Sequence, residues 1–126
     1  MIPTRWQIRL DAQLADAAER LARAIAHLDD DDGSRSLQSA YQAVVSAATL
    51  HVWPTPRVWA TPLPSSELPQ RVQDTFPNLF AALGALDIQQ ALTAPWRVDA
   101  ARPYVMEAES FINATEAFLR RCLAEP

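Results

Sequence analysis

Two histidines, a single cysteine and a run of four aspartates are the groups in this chain with the most obvious chemistry. Metal binding is the first chemistry to weigh for His27 and His51. Helical di-metal sites use Glu-x-x-His pairs, but Ala24 and Ala48 stand three residues before the two histidines. No His-x-x-x-His or Cys-x-x-Cys spacing exists, so no metal and no cofactor are expected. Each histidine closes a helical stripe, where the helix C-terminus favours a cation, and capping accounts for both. The aspartates Asp29 to Asp32 precede Gly33 in the manner of a calcium loop. With Gly33 at the sixth position that loop would begin at Leu28 and end at Ser39, neither of them a carboxylate, so the run reads as a solvated helix end. Cys122 lies on an apolar stripe with no histidine near it in sequence, which makes it a structural thiol rather than a nucleophile. There is no Gly-x-Ser-x-Gly motif, and Gly33 and Gly84 are the only glycines, too few for a phosphate-cradling loop. No residue is assigned a catalytic role from these groups.

A more distinctive stretch is WPTPRVWATPLPS, residues 53–65. Four prolines and two tryptophans in that span exclude a helix and predict an extended, polyproline-like connection. Trp53, Arg57 and Trp59 are the residue types that anchor protein interfaces. Two readings stand: the rings fold back to cover the core, or they present a surface to a partner.

These residues must be positioned by helices. The chain has 126 residues, enough for one ordinary domain spanning 1–126 with its own core. Scarce glycine and abundant alanine favour helices over a sheet sandwich. A capping box, Thr4 with Gln7, opens the first helix. Its core stripe reads Leu10, Leu14, Ala17, Leu21, Ile25 and Leu28, with Asp11, Asp16, Glu19, Arg20 and Arg23 on the opposite face. A second helix begins at about Ser34 or Ser36, carries Leu37, Tyr41, Val44, Ala48 and His51 or Val52, and stops before Pro54. A third starts near Ser66 and runs through Val72, Phe76, Leu79, Leu83 and Leu86. It either kinks at Pro77 or divides there into two short helices. Asp87 caps a short turn. The last helix runs from Arg102 to Ala124 with Pro103 in its first turn. Tyr104, Ala108, Phe111, Thr115, Phe118 and Cys122 form its stripe, flanked by Val105, Ile112, Leu119 and Leu123, and Glu109 and Glu116 share a face off that stripe. The expected fold is all-α: a four-helix bundle, antiparallel, with a long proline-rich crossover between helices 2 and 3.

The order of these elements carries a resemblance. A helix ending AYQAVVSAATLHVW, then a leucine-striped helix, then PYVMEAESFINATEAFLRR resembles the HEPN superfamily of small helical bundles across roughly residues 10 to 124. Ribonucleases of that superfamily carry an arginine, four to six residues and a histidine ahead of the final helix, with a tyrosine two further on in one branch. The matching stretch here is Arg97-Val-Asp-Ala-Ala-Arg102-Pro-Tyr104, with Arg102 in place of the histidine. Arginine does not shuttle protons near neutral pH, so the resemblance implies a non-catalytic member. Arg20 and His27 have six residues between them as well, but in the first helix, and read as chance.

The resemblance implies a binding or dimerisation module acting through a protein partner or through self-association. The competing class is a HEPN-like ribonuclease or nucleotide-binding protein that holds a phosphate with Arg97, Arg102 and Tyr104. A third is an immunity or antitoxin-type inhibitor, since a net charge of −4 would suit a basic toxin. The same charge disfavours nonspecific nucleic-acid binding. All 11 basic residues are arginines, as GC-rich coding would produce. No apolar run is long enough to cross a membrane and the first residues do not form a signal peptide, so no membrane association and a cytoplasmic location are expected.

Overall fold

The computed structural model describes residues 4–52, 72, 74–84 and 95–124, and among these the alternation of apolar residues every three and four positions builds three long helices and one short one. The elements are α1 (Thr4–Asp29), α2 (Gly33–Val52), α3 (Asn78–Gly84) and α4 (Val98–Ala124). No strand occurs among the described residues. The all-α bundle is therefore as expected, but its four helices are unequal.

α1 buries Leu10, Ala17 and Ala24 completely, with Leu14, Leu21 and Leu28 packed beside them. The core line thus passes through Ala24 and not through Ile25, which is 39% exposed. The cause lies on α2. The buried Ser36 hydroxyl donates to the Ala24 carbonyl at 2.7 Å, which brings the two backbones too close for a branched side chain at that level.

The turn from α1 into α2 gives Asp31 and Asp32 different tasks. Asp31 adopts a left-handed backbone (φ 60°). Its amide donates to the Leu28 carbonyl at 3.1 Å, and that of Asp32 donates to the His27 carbonyl at 2.8 Å, a Schellman ending with aspartate where glycine is usual. Asp32 then caps α2: its carboxylate accepts from the Arg35 amide at 3.0 Å. Gly33 is consequently the first residue of α2, slightly ahead of the expected Ser34 or Ser36.

Hydrogen bonds between α1 and α2 shorten in sequence separation from 33 at Gln13–Ser46 to 12 at Ala24–Ser36, so the pair is an antiparallel hairpin. α2 and α4 behave oppositely. Ser34 meets Trp96 and His51 meets Thr115 at nearly constant separations of 62 and 64, so these helices run parallel. Val52 and Trp96 therefore lie at opposite ends of α2, about 30 Å apart at 1.5 Å per residue. The proline-rich crossover expected at 53–65 lies outside the described residues, as does the short turn at Asp87.

Of the two forms expected at Pro77 the described residues take the divided one: helical backbone at Val72 and Asp74 gives way to a turn at Thr75, and α3 begins at Asn78, directly after Pro77. The Glu107 carboxylate on α4 accepts from the Leu79 amide at 2.9 Å, satisfying a donor of α3's first turn. α4 starts at Val98, a turn earlier than Arg102, which places Pro103 inside the helix. The lost hydrogen bond falls to the carbonyl of Asp99, where both residues are exposed and water can take the acceptor. The deepest line on α4 is Ala101, Val105, Ala108, Ile112, Thr115 and Leu119, while Tyr104, Phe111 and Phe118 are half-buried. The Cys122 side chain lies outside the described set.

Candidate functional site

At one end of the bundle the C-terminus of α1 and the N-termini of α2 and α4 converge. Gly33 permits this. A Cβ there would stand 2.4 Å from the Trp96 carbonyl oxygen and 2.6 Å from the Arg97 carbonyl carbon. The Ser34 hydroxyl accepts from the Trp96 amide at 2.9 Å. The Arg97 carbonyl accepts from the Ala100 and Ala101 amides at 3.1 and 3.0 Å, which makes Arg97 the residue that opens α4. Beside this junction lies an open depression of about 550 Å³, with Asp29, Asp31, Trp96, Arg97, Asp99 and Arg102 among its walls.

The structure separates the three residues expected to hold a phosphate. Arg97 and Arg102 both border the depression and are exposed. Tyr104 turns into the core, edge-on to Phe80 at 5.5 Å and to Trp96 at 5.4 Å between ring centroids. Three carboxylates line the same depression as the two guanidiniums, so an anion there meets repulsion as well as attraction. Among the described residues its walls hold no histidine and no thiol. Trp53, Arg57 and Trp59 lie outside the described residues. Among the described residues no three of His, Cys, Asp and Glu group closely enough to hold a metal ion. No helix there is long and apolar enough to cross a membrane.

His51 departs from the capping role expected of it. Its ring lies between Phe111 and Phe118, nearly parallel to both, at 5.3 and 4.7 Å between centroids. Nε2 is 2.9 Å from the Thr115 hydroxyl, which itself donates to the Phe111 carbonyl at 2.8 Å. The hydroxyl proton is thereby committed, so Nε2 carries the proton that Thr115 accepts. Burial between the aromatic rings holds its pKa below the ordinary histidine value of 6.5. The unfolded chain therefore takes up this proton first as pH falls. The stabilisation is complete above about pH 6.5 and is lost as pH drops below it. Thermal unfolding should show a melting temperature that declines between pH 7.5 and 5.5, and His51→Gln should flatten that decline. An equal decline in the variant would assign the effect to another group. The window is separate from that of Asp16. Hydrogen bonds from Ser46 and Arg20 lower the Asp16 pKa below 3.8, so its contribution persists until far more acid pH.

Asp16 and Arg20 also correct the reading of α1's outer face. The Ser46 hydroxyl donates to Asp16 at 2.7 Å, while Arg20 donates to Asp16 at 2.9 Å and to Gln42 at 2.8 Å. Both residues therefore serve the contact with α2. What α1 presents outward includes apolar residues as well as charges: Ile8, Ala12, Ala15, Ala18, Ala22 and Ile25 are all exposed, Ile8 by 65%, beside exposed Asp11, Glu19 and Arg23. The sequence reading missed this face because it spent Ile25 on the core. Continuing the 4-3-4-3 core spacing through Ala24 would have uncovered it. Comparison with known proteins finds no matching family model, curated protein or solved structure.

Proposed function

We propose that this chain is a non-enzymatic helical interaction module, a reading in keeping with the non-catalytic HEPN-like proteins it resembles. The supporting observation is the outward face of α1, which carries a second apolar surface with no partner among the four described helices. Exposed apolar residues scattered singly need no explanation, but six on one helical face form a contiguous strip of the sort that marks contact sites. The bundle-end depression supports catalysis less well, since it offers carboxylates and guanidiniums but no group suited to general acid–base work.

The test puts charge on the strip. An Ile8→Glu/Ile25→Glu double variant should keep the helical circular dichroism and melting temperature of the parent chain while losing the protein associations the parent forms. The ribonuclease alternative, which takes its support from Arg97 and Arg102 bordering one depression, makes the opposite demand. RNA cleavage by the purified chain that vanishes in Arg97→Ala/Arg102→Ala would replace the interaction reading with an enzymatic one.

A further inference from the structure

We draw no further inference here: the strongest candidate, the open depression at the junction end where Asp29, Asp31 and Asp99 stand with Arg97 and Arg102, belongs to the candidate site already described, and its walls are exposed charges beside a helix N-terminus with no buried, unpartnered polar side chain among the described residues that points to a ligand.

Discussion

Gly33→Ala should lower the stability of the folded chain by about 2–3 kcal/mol, read as an earlier midpoint in urea with an unchanged slope. The added methyl would meet the Trp96 carbonyl oxygen at 2.4 Å and Arg97 backbone atoms at 2.6 and 2.7 Å. None of these is the end of a flexible side chain, so the strain cannot be relieved by a rotamer change. Either the first turn of α2 or the start of α4 must retreat, and the Ser34–Trp96 hydrogen bond lies directly in that path. Alanine favours helices over glycine by about 1 kcal/mol, which works against the clash and makes the sign informative. A neutral or stabilising substitution would show that the two backbones do not approach as described. Ser34→Ala provides the comparison, losing the hydrogen bond without the clash and costing about 1 kcal/mol.

Phe80→Ala should cost more, about 3–5 kcal/mol, a large share of the 5–15 kcal/mol that holds a typical domain together. Among the described residues Phe80 is the largest fully buried side chain, and it joins α3 to the core, where Tyr104 meets it edge-on and Trp96 in turn meets Tyr104 edge-on. α3 has seven residues, too few to persist as a helix without tertiary support. Beyond Phe80 its described attachment to α4 includes the hydrogen bond from the Leu79 amide to Glu107. Removing the ring leaves a cavity and undocks the element together. Amide exchange should report both: global protection falls throughout, and α3 loses protection ahead of α1 and α2. A loss under 1 kcal/mol would mean that neighbouring side chains fill the space.

The helices were largely legible in the sequence because amphipathic spacing reports burial directly. α1 and α2 end where charge or proline stops the stripe, at Asp29 and Val52. The failures share a cause, which is contact between residues distant in sequence. Hydropathy alone ranks Ile25 above Ala24, yet the core takes Ala24 because Ser36 brings α2 against its carbonyl. Gly33 read as the end of an aspartate run, whereas its importance comes from a backbone 63 residues away. His51 read as a cap because its Thr115 and Phe118 partners lie on another helix. The candidate site divided in the same way. Arg97 and Arg102 were singled out through the HEPN resemblance, and only the tertiary structure turns Tyr104 inward and places Asp29 and Asp31 beside the two arginines.

The parallel course of α2 and α4 also sets the electrostatic polarity of the bundle. Each helix end behaves as roughly half an elementary charge, positive at the N-terminus and negative at the C-terminus. The junction end joins two positive termini to one negative one, so its backbone field is positive on balance. Asp29, Asp30 and Asp31 oppose α1 taken alone, but they sit within reach of the starts of α2 and α4, where Asp32 and Asp99 already lie. At the far end the balance reverses, and Arg5, Arg9, Arg120 and Arg121 occupy it. At the junction the aspartates outnumber Arg35, Arg97 and Arg102, so side-chain charge there opposes backbone charge on balance. Four consecutive aspartates, a liability on an isolated helix, become the counterions of its neighbours.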